Sequence, residues 1–198
     1  MATHILMNDE DLILQIRRGN TTAFRHLVDK YSNMVWFLVL RMVRQREDAE
    51  DISQEVFYKV YHDINKFRGD SKLSTWIGSV AFHTTTDYLR KRGRAKIIFT
   101  DDETMPQVAA VDFDTPYQML KKEDVKGLIH RIIDNLPLQY RTVITLYHLE
   151  QFSYAEISEI TGMPEGTVKS NISRGRSAIK QKLLSLVPEL EHDYSNND

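Results

Sequence analysis

Cysteine is absent from the 198 residues, proline occurs five times and glycine eight. Without cysteine, disulfide scaffolds and thiolate zinc fingers are excluded, and a reducing, cytoplasmic setting is expected. Long apolar runs are missing too. The longest, Met34 to Val43, is interrupted by Arg41 and falls far short of the roughly 20 residues a spanning helix needs. No membrane insertion is expected. The opening MATHILMNDEDL lacks the basic-then-apolar order of a secretory signal. An apolar content of 41% excludes a wholly disordered chain, and this length suits one large domain or two small ones. Few prolines and glycines among many charged residues point to helices.

The net charge of −2 hides a segmented distribution. Residues 1–97 carry a balance of +4, residues 98–126 of −4, residues 127–185 of +2 and the tail 186–198 of −4. Two basic bodies separated by an acidic strip suit two nucleic-acid-facing modules on a tether. Ordinary charge scatter gives the same numbers, so charge alone decides nothing.

Helical periodicity is strong in the first half. A short helix is predicted from about Asp9 to Arg18, ending at Gly19-Asn20-Thr21. Phe24, Leu27, Val28, Tyr31, Met34, Val35, Leu38 and Met42 then form one apolar stripe. A third helix is predicted to begin near Asp48. Ala49, Ile52, Val56, Val60 and Ile64 line its buried side, while Asp48, Asp51 and Glu55 share another face. Arg68-Gly69-Asp70-Ser71 reads as a loop. Ser74 or Thr75 is expected to cap the next helix, which carries Trp76 and Ile77 and runs into the basic stretch Arg90-Lys91-Arg92. Trp76 sits on an apolar face and reads as core rather than as a base-stacking ring.

The period fails from Thr100 to Pro116, a stretch with two prolines and five acids, read here as a linker. Helical signals return near Tyr117, and two helices are predicted around a break at Asn135-Leu136-Pro137. The most informative segment is Phe152 to Leu184. Ser153 and Glu156 form a capping box, Gly162 ends the short helix, Met163 plugs the angle, and Pro164 opens the next. Val168, Ile172, Gly175, Ile179 and Leu183 mark the buried stripe of that second helix. Lys169, Ser170, Ser173, Arg174 and Ser177 face outward, and residues 166–184 hold no acid. Arg176 and Lys180 read as lying off that stripe, on the phosphates. This is a helix-turn-helix with a basic, hydroxyl-bearing outer face, suited to the major groove. The competing view is a helical hairpin with a solvated polar face.

Four stretches in order are Asp48-Ala49-Glu50-Asp51-Ile52-Ser53-Gln54-Glu55-Val56-Phe57, Phe67-Arg68-Gly69-Asp70-Ser71, Ser74-Thr75-Trp76-Ile77, and Pro164 to Ser170 with Arg174-Gly175-Arg176. With them the chain resembles bacterial RNA polymerase sigma factors of the extracytoplasmic-function group over roughly residues 9–184. The resemblance implies an all-α chain of two small helical domains. Residues 9–94 would bind the polymerase clamp and open the −10 promoter element. Residues 95–119 would be the linker, threading through the polymerase or serving as a solvated tether. Residues 120–186 would bind the −35 element and the polymerase flap, and 187–198 would be a polar tail.

The same resemblance assigns Asp51, Gln54 and Glu55 to core polymerase, an acidic face poorly suited to DNA but well suited to a basic partner. It assigns Phe67, Arg68, Gly69, Asp70, Ser71, Lys72, His83, Arg90, Lys91 and Arg92 to the −10 element. There the loop would hold a base flipped from the non-template strand. It assigns Lys169, Ser170, Ser173, Arg174, Arg176 and Lys180 to the −35 element. The implied partners are core RNA polymerase, promoter DNA and a separate anti-sigma factor; no cofactor or metal is expected. Two positions depart from the family: His83 stands where asparagine is frequent, and Asn171 where arginine is. Both bear on which promoter is read.

Two other classes compete. A helix-turn-helix regulator with an effector-binding N-terminal half explains residues 127–185 but leaves Asp48–Phe57 and Phe67–Ile77 without a role. An enzyme is disfavoured, since no His-x-x-x-His, phosphate loop or nucleophile motif occurs. His62 and Asp63, adjacent on a helix, make a poor acid–base pair.

Overall fold

The computed structural model describes residues 8–93 and 125–186, and of Val125 the backbone alone. The predicted linker 95–119 and tail 187–198 lie outside the described residues. The chain divides into two compact units.

In the N-terminal unit, α1 (Asp9–Arg17) starts where the Asn8 side chain accepts from the Asp11 amide at 2.8 Å. Three acids in its first turn and Arg17 in its last suit the helix dipole. Asn20 opens α2 (Thr21–Val43), accepting from the amides of Thr22 and Ala23. Arg44 ends it in the left-handed region, its amide bonded to the Leu40 carbonyl at 2.8 Å. Helix α3 (Arg46–Asp63) begins two residues ahead of the expected Asp48. A 3₁₀ turn, Ile64–Lys66, follows it.

Helix α4 (Leu73–Lys91) starts before Ser74 and Thr75, so neither caps it. Lys72 stands at the cap position, and its side chain makes no capping hydrogen bond. Thr75 instead turns into the core, fully buried. The sequence pattern of a hydroxyl ahead of an apolar run does not distinguish a cap from a small core residue in the first turn.

Helix α2 packs against α1, α3 and α4, and α3 packs against α4. Leu27, Val35, Leu38 and Val39 of α2, Ile52, Val56 and Val60 of α3, and Ile77, Ala81 and Phe82 of α4 form the core. Each larger side chain contributes roughly 1.5–3 kcal/mol by leaving water. Asp9 fastens α1 to α2, taking bonds from Lys30 at 2.7 Å and the Tyr31 hydroxyl at 2.8 Å. Burial, then the bond to Asp9, pushes the Tyr31 phenol well above its ordinary range.

The C-terminal unit holds α5 (Val125–Asp134), α6 (Leu138–Ile144), α7 (Tyr154–Thr161) and α8 (Glu165–Leu186). Arg141 closes the break between α5 and α6, donating to the carbonyls of Asp134 at 2.9 Å and Leu136 at 3.1 Å. A widened turn, Thr145–Leu149, continues α6, with the Glu150 amide reaching back to Thr145 at 3.1 Å. Helix α8 packs on α6 and α5. Gly175 permits the approach to α6: a Cβ there would lie 2.9 Å from Ile144 Cγ1. Leu128 and Ile132 of α5 meet Ile179, Leu183 and Leu186 of α8. No strand occurs among the described residues, and no described helix is long and apolar enough to cross a membrane.

Candidate nucleic-acid interface

The helix-turn-helix is built locally by the expected residues. The Ser153 amide donates to Glu156 Oε2 at 2.8 Å, and the Glu156 amide donates to Ser153 Oγ at 3.3 Å. Both halves of the capping box are therefore made. Gly162 takes φ +73°, which a side chain rarely adopts, and its amide closes on Ser158 at 2.8 Å. Met163 is buried and receives the Asn171 side-chain amide on its sulfur at 3.7 Å. That bond changes the reading of Asn171. It faces the interior of the motif rather than the outer arc, so this position is not part of the outer surface.

On α8, Lys169 and Ser173 are exposed, while Ser170 and Arg174 are half-buried. Arg176 and Lys180 are exposed as well. They follow Lys169 by seven and eleven residues, which returns them to its edge of the helix; they do not lie off that stripe, as the sequence reading had it. Three cations thus run along one edge, with Arg174 on the other and the serines between.

Two of these cations are braced by an aromatic pair. Tyr147 and Tyr154 stack with centroids 4.9 Å apart and planes 8° from parallel. Lys169 lies over the Tyr154 ring at 5.5 Å and Arg176 over the Tyr147 ring at 5.2 Å. Arg176 Nε donates to His148 Nε2 at 2.9 Å, and Lys169 also meets Glu165 at 3.1 Å. Burial, then the Arg176 charge, holds His148 below its ordinary value, which keeps Nε2 an acceptor. A hydrogen bond between the two phenols lowers the pKa of Tyr147 and raises that of Tyr154. Sequence reasoning missed this pair because the two rings come from different elements.

Beside the same edge of the helix lies an apolar groove of about 440 Å³, lined by Ile129, Ile133, Leu149, Ile179, Leu183 and Leu184, with His148, Arg176 and Lys180 also lining it.

In the N-terminal unit, Phe67 is buried with its ring against Trp76, centroids 5.4 Å apart. Trp76 is only half-buried, so it is a wall of the loop's base rather than the full core residue expected. Arg68, Gly69, Asp70 and Lys72 are exposed and Ser71 half-buried. His83 is exposed on the same face of α4, seven residues beyond Trp76 and so about 10 Å along the axis. Of the basic run, Arg90 pairs with Asp87 at 3.2 Å and Arg92 with Asp48 at 3.2 Å, while Lys91 is exposed. The Arg92 pair thus reaches Asp48, on the acidic face of α3.

That face on α3 keeps Asp51, Gln54 and Glu55, all exposed, with Glu55 paired to Lys59 at 2.8 Å. The structure adds Tyr58, 70% exposed, at the next step of the stripe and stacked on His62. Its spacing from Asp51 and Glu55 made it findable; reading charge alone passed it over. Among the described residues, no group of three or more His, Asp or Glu is placed to hold a metal.

Sigma-70 region 2 matches residues 27–95, and sigma-70 region 4 matches residues 126–179. The chain is 34% identical to the RNA polymerase sigma-H factor of Pseudomonas aeruginosa, over 91% of this chain and 96% of that one. It is 36% identical to the ECF RNA polymerase sigma-E factor of Haemophilus influenzae, over 91% and 98%. Its fold is similar to that of the sigma factor RpoE of Bartonella quintana, solved with the anti-sigma factor NepR. The TM-score is 0.58 at 22% identity, covering 81% of this chain and 96% of that one. The chain belongs to the sigma-70 family, within its extracytoplasmic-function (ECF) group of RNA polymerase sigma factors.

Proposed function

We infer that the chain is the promoter-recognition subunit of a bacterial transcription complex. It binds core RNA polymerase and directs promoter recognition, −10 melting and initiation. The observation that carries this reading is that both family regions match, in order along the chain, region 2 over residues 27–95 and region 4 over residues 126–179. A helix-turn-helix regulator with an effector-binding half would match in the second unit alone.

The domain bounds assigned are 9–94 for −10 and clamp binding and 120–186 for −35 binding. The −10 site comprises Phe67 to Lys72, His83 and Arg90 to Arg92. The −35 site comprises Lys169, Ser170, Ser173, Arg174, Arg176 and Lys180, with Lys169 and Arg174 toward the bases and Arg176 and Lys180, farther from the helix N-terminus, toward phosphates. Asp51, Gln54 and Glu55 meet the clamp, and Tyr58 joins them, because exposed tyrosine beside charge is a frequent interface anchor. The apolar groove suits a protein partner such as the polymerase flap, since an exposed apolar patch rimmed by polar groups marks a protein-contact surface.

An anti-sigma factor is a further proposed partner, and action in the cytoplasm follows from that of the polymerase. The role is that of an initiation factor, with catalysis left to core polymerase. The test is run-off transcription with core polymerase over a promoter library. A sigma factor yields core-dependent transcripts with a fixed start; an effector-type regulator adds none.

A further inference from the structure

Arg17, in the last turn of α1, takes no part in either surface described above, yet its guanidinium lies at the root of the −10 loop. Nη2 donates to the Ile64 carbonyl at 3.2 Å and also to the Phe67 carbonyl, and Nε reaches the Ile64 carbonyl at 3.4 Å. These carbonyls bracket the 3₁₀ turn Ile64–Lys66. The turn's own closure is long, with the Phe67 amide 3.4 Å from the Ile64 oxygen. Phe67 is the last residue before the exposed loop, and beyond the loop the Trp76 amide bonds the Lys72 carbonyl at 3.1 Å.

Backbone carbonyls at the end of a turn need donors, and hydrogen bonds from a charged group are worth more than neutral ones. Here the donor comes from a helix about fifty residues earlier, reaching across to one strand of the loop. It fixes the direction in which the chain leaves Phe67. The Phe67 ring, pressed on Trp76, fixes the side chain at the same point.

We propose that Arg17 is a positioning residue for −10 recognition. By clasping the Ile64 and Phe67 carbonyls it holds the loop 68–72 in the shape that selects the flipped base. This rests on the reading of that loop as the −10 pocket. Selectivity at one promoter position then depends on a side chain that acts through the backbone of the loop.

The test is position-resolved promoter selection by the full chain with core polymerase, comparing wild type with Arg17→Met. Methionine keeps an apolar stem and removes every donor. The expected result is a loss of about tenfold in discrimination at a single −10 position, the size of one good base contact. Preference at the other −10 positions and across the −35 element stays as in wild type, and so does the salt dependence. Arg17→Lys, with a shorter reach, restores part of the discrimination.

Two outcomes would overturn the proposal. A wild-type preference profile together with a lowered Tm makes Arg17 a stabilising residue only. An equal loss on all sequences, with the slope of log K against log salt reduced by about one, makes it a phosphate contact. Asp70→Ala and Ser71→Ala, run in parallel, separate this from the loop reading. If they change the −10 profile and Arg17→Met does not, the clasp fails alone. If they leave it unchanged, the loop reading fails and the proposal with it.

Discussion

Helix α8 and the loop 67–72, the two elements proposed to meet promoter DNA, are held in shape by opposite means. Helix α8 holds its own shape through main-chain bonds, and its entry is set by neighbours in sequence: the capping box at Ser153 and Glu156, and Gly162. The loop closes little of its own backbone. Its root is held by Arg17 from α1 and by Phe67 on Trp76. The difference matches the two forms of DNA proposed for them. A duplex groove has fixed dimensions and is met well by a rigid helix. A base taken out of the stack needs donors and acceptors not already spent within the protein, and a loop supplies those only if something else holds it in place.

The largest expected effect tests whether the N-terminal unit's protein-facing surface is separate from its DNA-facing one. Asp51→Lys with Glu55→Lys sets like charge against a basic clamp, a cost of several kcal/mol. Core binding should fall by at least about 100-fold with helical circular dichroism unchanged. Unaltered binding removes the clamp assignment.

Gly175→Ala probes the rigid side of the comparison. Its Cβ would sit 2.9 Å from Ile144 Cγ1 and 3.2 Å from Cδ1, and Ile144 is itself buried. Overpacking of about 1–3 kcal/mol outweighs the gain of up to about 1 kcal/mol from removing a helical glycine. Thermal denaturation should show a lower Tm and a DNA-binding titration a weaker −35 affinity, while the −10 profile is kept.

Lys169→Ala and Arg176→Ala sharpen the same side, since both cations share one edge of α8. Lys169→Ala should cost about 1–3 kcal/mol and relax preference at one −35 position. Arg176→Ala should weaken all sequences alike and reduce the salt slope by about one. Equal relaxation by both would place both on bases.

The smallest effect is a pH dependence in the C-terminal unit. His148 lies below its ordinary value of 6.5, because burial and Arg176 disfavour its charged form. As the pH falls, the unfolded chain takes up this proton first. Its contribution to stability is therefore complete above about pH 6.5 and declines below it. In His148→Gln the acceptor remains without the titration, so Tm between about pH 7.5 and 5.5 should vary less than in wild type.

What the sequence made legible follows the same division. Helices and their buried stripes were readable because Leu27, Val35 and Leu38, or Val168 and Ile172, repeat at helical steps that survive folding. The capping box and Gly162 were readable because their partners lie within a few residues. The misreadings came from longer-range or finer geometry. Thr75 went into the core instead of capping, and Asn171 turned inward onto Met163. The Arg17 clasp and the Tyr147–Tyr154 stack join residues whose meeting no local period encodes. The loop side of the molecule was accordingly the harder side to read.

The most direct measurement is selection from a library randomised across both promoter elements, by core polymerase carrying wild type, Arg174→Ala or His83→Asn. The account predicts that Arg174→Ala changes base preference only within the −35 element and His83→Asn only within the −10 element. If either variant alters the other element, or neither changes any preference, the division of promoter reading between α8 and the loop with α4 is wrong.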